Sequence, residues 1–335
     1  MENAAASKSQ KVNMIQALNM ALHEAMEKDK NVIVFGEDVA DPEEGGIVGV
    51  TKGLSTKYGE LRVRSTPISE QAIVGAAIGA GIVGMRPVAE IMLMNFTTVA
   101  MDMIVNHAAK LRFMSGGQTH VPITIRTATG SGLGVGGQHA DYYEAWFAHV
   151  PGLKVVMPSS PAEAYGLLLS CIEDDDPCIF VENTLLYFAP GTPPVPGTRI
   201  PLGKANVIRE GNDVTLICYG PHVAPSLAVA DALSQENISV EVIDLRTIAP
   251  WDKATVLASV AKTRRAVITH EAVKPFGVGA EISSVIHEEL FSQLKAPVQR
   301  VGAPYSPVPY SKPLETAFMP GIETIKAAVL KTINR

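Results

Sequence analysis

Two runs of alternating helix-patterned and strand-patterned sequence, separated by a stretch in which no regular element can form, predict a two-domain α/β protein whose sheets are mostly parallel. Length agrees: at 335 residues the chain exceeds the roughly 250–300 residues that one hydrophobic core usually serves. The dividing stretch is Phe188–Gly203, FAPGTPPVPGTRIPLG, with five prolines and three glycines. Prolines remove backbone donors and glycines cost helices and strands entropy, so this segment reads as a linker. The expected organisation is a tail over 1–10, a first domain over 11–188, a linker over 189–203 and a second domain over 204–335.

In the first domain, Met14, Ile15, Leu18, Ala21, Leu22 and Met26 recur at helical spacing, and Asn31 then leads into VIVFGED, a strand. RPVAEIM, VPITIRT, LKVVMP and PCIFVEN are short apolar runs bounded by turn residues and read as further strands. Helices are expected between them at Thr98–Met114 and Pro161–Ile172. Beyond the linker, DVTLICYG, SVEVIDLRT, RAVITHEA and PVQRVG read as strands, with helices at Ala224–Glu236, Trp251–Thr263 and Val278–Leu290.

Composition removes several function classes. A formal charge of -6, with no basic stripe, offers nothing to a nucleic-acid backbone. The longest uncharged run is shorter than the roughly 20 residues a bilayer span requires. Cys171, Cys178 and Cys218 form no CxxC pair and sit in apolar runs, which fits a reducing, cytoplasmic setting. The opening MENAAASKSQ has neither an apolar core nor an arginine, and reads as a disordered tail rather than a targeting segment.

One carboxylate stands apart. Glu70 immediately precedes fifteen uncharged residues, Gln71 to Met85. An acid in a first helical turn can simply complement the helix dipole, with Thr66 or Ser69 as the capping oxygen. The helix that follows is rich in glycine and alanine, however, and Gly75 and Gly79 would let another backbone approach closely, as in a buried interface. A carboxyl kept from water in such a place holds or shares a proton more readily than a solvated one.

Familiar catalytic motifs are absent: there is no GxGxxG after a strand, no GxxxxGK[ST], no GxSxG and no HExxH. His139 is the histidine that stands out, because it follows five glycines in eight residues, 130–137. Such a loop can bring backbone close to a ligand and set an imidazole at a cleft edge, although a lone histidine is more often structural. His149, beside Val150 and Pro151, carries the structural reading.

Several motifs in fixed order add a family to this picture. TPISE at 66–70, Asn95 and Phe96, AAKLRFMSGG, GGQHADYYEAWFAHVPGLKVV, VIDLRTIAPWD and FGVGAEI resemble the thiamine diphosphate-dependent 2-oxo acid dehydrogenases, in particular the beta subunit of their first, decarboxylating component. The resemblance runs from about Val12 to Asn334. It implies a transketolase-like, pyrimidine-binding domain followed by a transketolase C-terminal-like α/β domain. It implies for Glu70 a hydrogen bond to N1′ of the cofactor's aminopyrimidine, favouring the imino form that removes the thiazolium proton. Phe96 matches the ring that packs on the pyrimidine, and His139 the histidine that handles protons or orients the lipoyl acceptor. The GDG motif by which this cofactor class holds magnesium and the diphosphate is missing, so an alpha subunit is expected to supply the Mg2+ ligands within an alpha2 beta2 assembly. Some relatives hold potassium, and the matching positions are the carbonyls of Ile123 and Cys171 with Asp174 and Asp176, although the acidic run EDDDP also suits a solvated helix end.

The resulting expectation is an enzyme subunit that oxidatively decarboxylates a 2-oxo acid and passes the acyl group to a lipoylated acyltransferase. Pyruvate or acetoin is favoured, with a branched-chain oxo acid as the alternative. The competing expectations are a noncatalytic assembly subunit and a self-contained transketolase-like enzyme; the second is opposed by chain length and by the missing diphosphate motif.

Overall fold

The computed structural model describes residues 11–333; the predicted tail over 1–10 lies outside the described residues. The chain begins with helix α1, Met14–Lys28, closed by a capping box in which the Asn13 side chain and the Gln16 backbone and side chain satisfy each other. Of its predicted apolar stripe Met14, Leu18, Ala21, Leu22 and Met26 are buried and Ile15 is half-buried. Burying a leucine in this way stabilises by about 1.5–3 kcal/mol. The stripe packs on α6, Pro161–Glu173.

Strands β1 (Val32–Gly36), β2 (Val63–Ser65), β3 (Arg86–Leu93), β4 (Thr124–Thr129), β5 (Lys154–Val156) and β6 (Cys178–Asn183) form a parallel array. A seventh strand, β10 (Thr247–Ala249), joins it from far along the chain, giving the order β10-β5-β6-β4-β3-β1-β2. Every residue of β4 and β6 is buried, as expected of parallel strands covered on both faces. The second sheet has the order β12-β11-β8-β9-β7. Its strands are β7 (Asn206–Arg209), β8 (Val214–Cys218), β9 (Val240–Asp244), β11 (Ala266–Val273) and β12 (Gln299–Ala303).

Three differences from the sequence reading have physical causes. SVEVIDLRT is not one strand: Arg246 adopts a positive φ of 59°, and the chain turns there, leaving β9 in the second sheet and sending β10 to pair antiparallel with β5 of the first. The predicted helix Thr98–Met114 is instead a 3-10 segment (Met94–Ala100), a π-helical segment (Met103–Ala108) and the short α4 (Leu111–Met114). Hydroxyl groups account for part of this, since Thr97 and Thr98 bond the carbonyls of Met94 and Asn95 at 2.5 and 2.7 Å and compete with regular pairing. β7 and the terminal helices α10 (Lys312–Phe318) and α11 (Ile322–Ile333) were not foreseen; β7 is an edge strand with no fully buried residue.

Between the turn at Leu186–Phe188 and β7 the chain has no helix or strand. It is nonetheless fastened to the first domain, where Gly191 pairs with Val12 and Arg199 reaches Glu24 and Glu173. One buried cluster spans both sheets, running from Ile73, Ile125 and Ile179 to Ile217, Ile243 and Ile268. The two domains therefore share a core.

Candidate active site

The carboxyl ends of β1, β2, β3 and β4 open toward one edge of the first sheet, the side on which α/β sheets present their loops to ligands. β1 ends at Gly36, where a Cβ would meet the Glu90 carbonyl at 2.6 Å, so only glycine lets these two strand ends approach so closely. Glu37 follows it. The loop after β2 carries Thr66 and ends at helix α3, Glu70–Ile82.

Glu70 is buried, 9% exposed, at the first position of α3. Ser69 occupies the capping position but its side chain makes no capping bond, and the Thr66 hydroxyl is buried without a partner. The acid's electrostatic surroundings are acidic: the Glu37 carboxyl is raised by burial first, then by the charges of Glu70, Asp38 and Glu90. Gly79 faces open space, and Ala72, Ala76, Ile82 and Val83 on the same side of α3 are exposed. The close approach expected at Gly75 and Gly79 is thus not made within this chain at Gly79, while at Gly75 a Cβ would touch only Met103, at 3.5 Å.

β3 runs into the turn carrying Asn95 and Phe96, against which α3 packs. β4 runs into the glycine loop and His139. The two meet: the rings of Phe96 and His139 lie 5.5 Å apart between centroids at 77°, edge to face. Asn95 fixes that meeting. Its amide donates to the Gly137 carbonyl at 3.0 Å and to Asp141 at 2.9 Å, and its oxygen accepts the Asp141 N–H at 3.2 Å. The structure thus brings Phe96 and His139 into contact and sets Glu70 at the head of the helix that packs beside them.

Beneath this edge lies a polar network that sequence reasoning missed. Arg126 on β4, 2% exposed, bonds Glu182 through two nitrogens at 2.7 and 2.8 Å and Glu90 at 2.5 Å. Tyr187 donates to Glu182 at 2.6 Å. Glu90 and Arg126 are register partners on adjacent strands. The available signal was charge inside otherwise apolar runs, in RPVAEIM, VPITIRT and PCIFVEN.

A cavity of about 1130 Å³ lies between the two domains, lined among others by Tyr142, Trp146, His149, Glu271, Phe276 and Tyr305. None of Glu70, Phe96 or His139 lines it. Behind its wall Glu144 is fully buried and bonds the Tyr219 hydroxyl at 2.8 Å; burial pushes its carboxyl up to about 7.

The positions expected to bind potassium are engaged within the chain. The Ile123 carbonyl accepts the Cys178 N–H and the Cys171 carbonyl the Asp174 N–H. Asp174 pairs with the Lys154 ammonium at 2.6 Å, and Asp176 pairs with Lys154 at 3.2 Å and Arg112 at 2.6 Å. The chain's own cations neutralise the Asp174 and Asp176 carboxylates, while the Ile123 and Cys171 carbonyls each keep a second lone pair. Cys171, Cys178 and Cys218 are all buried and free.

The family model for the transketolase pyrimidine binding domain matches residues 10–189, and that for the transketolase C-terminal domain matches 203–325. The beta subunit of acetoin:2,6-dichlorophenolindophenol oxidoreductase from Cupriavidus necator is 43% identical over 334 residues, covering 97% of this chain and 98% of that one. A mitochondrial pyruvate dehydrogenase E1 component subunit beta from rice (Oryza sativa subsp. japonica) is 45% identical, covering 96% and 86%. The 2-oxoisovalerate dehydrogenase subunit beta of Dictyostelium discoideum is 48% identical over 313 residues, covering 92% and 83%. The chain belongs to the transketolase-like E1 beta subunits. A split-gene transketolase structure, at 22% identity and a TM-score of 0.76 over 97% of this chain and 99% of that one, shares the fold. As an E1 beta subunit, the protein is part of a 2-oxo acid dehydrogenase-type oxidoreductase. Among the described residues no helix is long and apolar enough to cross a membrane.

The E1 family implies thiamine diphosphate, and the chain's donor set fits the pyrimidine end of that molecule. A buried carboxylate among other acids, an unpaired buried hydroxyl at Thr66 and an aromatic ring at Phe96 suit a flat, nitrogen-rich, hydrogen-bonding ring.

Proposed function

We propose that this chain, joined to an alpha subunit in an alpha2 beta2 assembly, forms the decarboxylating component of a 2-oxo acid dehydrogenase complex. The observation that carries this reading is where the site lies: Glu70, Phe96 and His139 stand at the carboxyl-terminal end of the first sheet's strands and not in the large cavity, beside an exposed α3 face. Ile68, Val83 and Phe113 on the same domain are more than three-quarters exposed, an apolar cost that a covering partner would remove. The absence of a GDG sequence supports a partner that supplies the Mg2+ and diphosphate ligands.

Within the assembly, Glu70 holds or shares a proton with a ring nitrogen of the aminopyrimidine, as a carboxyl withdrawn from water can do. Bound thiamine diphosphate supplies the nucleophilic carbon and electron sink that loss of CO2 from a 2-oxo acid requires. Phe96 covers the ring and excludes water. His139, half-buried and fixed edge-on to Phe96, exchanges protons with the substrate oxygen or orients the lipoyl group of the acyltransferase component. Pyruvate or acetoin is favoured, and a branched-chain oxo acid is the alternative: the 48% identical relative is named for 2-oxoisovalerate, close enough to those named for pyruvate and acetoin that identity does not rank the three.

Reconstitution tests the reading. The purified pair should decarboxylate pyruvate or 2-oxoisovalerate, or cleave acetoin to acetaldehyde and an acetyl group passed to an acceptor, and should bind thiamine diphosphate with magnesium by calorimetry where this chain alone does not. A pair that assembles but binds no cofactor would make the chain an assembly subunit. Tight binding by the chain alone would make it a self-contained transketolase-like protein.

A further inference from the structure

A loop with glycines at 130, 132, 134, 136 and 137 has too much backbone freedom to hold an imidazole in place unaided. The second domain grips it along its whole length. Glu315 on α10 is 2% exposed, and its carboxylate accepts the Gly132 N–H at 2.6 Å and the Gly134 N–H at 3.1 and 3.2 Å. Gly132 and Gly134 have φ of 111° and 69°, a backbone path that turns their N–H groups toward one side and makes a small anion nest. The anion is part of the chain. One residue earlier, Glu271 of β11 accepts the Ser131 N–H at 2.7 Å.

The grip continues to the histidine. Tyr310 lies over Gly136, where any Cβ would run into its ring, and a Cβ at Gly137 would meet Pro307 at 3.1 Å. Ala140 is fully buried against Ala303, Val308 and Phe318. The His139 N–H closes on the Gly136 carbonyl at 3.1 Å, so a shift at Gly132–Gly136 is passed on to the imidazole.

We infer that Glu315 is a positioning residue for His139: its carboxylate, delivered by the second domain, fills the nest of the glycine loop and fixes the loop that sets the imidazole against Phe96. This rests on the reading of His139 as an active-site group. Glu315 touches the loop and not the reacting atoms, so its effect belongs on geometry and turnover, not on substrate affinity.

The test uses the assembled alpha–beta complex. Glu315→Ala empties the nest, whereas Glu315→Gln keeps one acceptor oxygen. Hydrogen exchange read by mass spectrometry reports on the loop without reference to activity. In Glu315→Ala, exchange over 130–139 should rise by about tenfold or more while other segments keep their protection. The kcat should fall about 10- to 100-fold, with KM for the oxo acid within about twofold, and Glu315→Gln should lie between it and the parent on both measures. Unchanged loop exchange with unchanged kcat in Glu315→Ala would overturn the inference. So would exchange that rises throughout 204–333 in step with lost activity in both variants, since that is general loosening. His139→Ala, assayed alongside, separates the two layers: full turnover there removes the site assignment and the positioning role with it. Lost turnover in His139→Ala with an unmoved loop in Glu315→Ala removes the clamp alone.

Discussion

The first domain holds two groups of buried or half-buried acids, and the chain treats them differently. Glu90 and Glu182 flank Arg126, which spends three nitrogens on them, and Tyr187 adds a fourth donor. Burial holds the Glu182 carboxyl above its ordinary range although Arg126 opposes it, and Arg126, against its own burial, is held above the usual arginine range by the two carboxylates. Elsewhere in the domain Glu37 feels the charge of Glu70, and among the described residues neither acid is paired with a cation. A buried charge is costly unless paired, so the difference separates acids held by the chain's own cation from acids that are not, and the proposed cofactor role falls on the second group.

Breaking the unpaired side should have the larger consequence. Glu70→Gln, mixed with a competent alpha subunit, should lower decarboxylation by about 100-fold or more while the complex still assembles on gel filtration, since the amide keeps the shape but cannot hold the proton. Full turnover in that variant would refute the role. On the paired side, Arg126→Met should cost about 3–5 kcal/mol in denaturant unfolding because it strands two buried carboxylates. A loss below about 1 kcal/mol would show that the network relaxes or takes up protons.

Glu144 gives an intermediate case, paired only with the neutral Tyr219 hydroxyl. Its carboxyl rises from an ordinary 4.5 to about 7 because of burial first, with a further push from the charge of Glu271. The fold therefore favours the protonated form, and the stability it contributes is complete below about pH 4.5 and lost as pH rises through about 7. Glu144→Gln should flatten that part of the stability profile by about 1–3 kcal/mol and gain most at pH 8; thermal melts at pH 5 and pH 8 would show an unaltered slope if Glu144 is not responsible. The smallest effect is expected at Asp174 and Asp176. Because Lys154 and Arg112 already neutralise them, replacing potassium by sodium should leave the melting temperature within about 2 °C.

These contrasts also mark what the sequence could convey. Alternating runs and the proline-rich break set out two sheets, because period and turn chemistry are local. The stripe of α1 and the helix Val278–Leu290 lie where spacing placed them. The jump of β10 into the first sheet was hidden, since strand partners are chosen by tertiary packing and IDLRTIAP gives no local sign of a change of sheet. Glu70 and His139 drew attention locally, through an uncharged run and a glycine loop, whereas Phe96 and the roles proposed for all three came only through ordered motifs. Arg126 and Glu315 were overlooked because their partners lie far away in sequence: 36 and 56 residues for Arg126, 181 and 183 for Glu315.

That three-residue strand has a consequence for anyone who would divide the protein. β10 covers the outer side of β5, so severing the chain at its proline-rich break and discarding the second half would strip a protective border from the first sheet. The orphaned fragment would present a row of unsatisfied amides and carbonyls next to apolar Val155 and Val156, an invitation to self-association. The two halves are best made together or not at all.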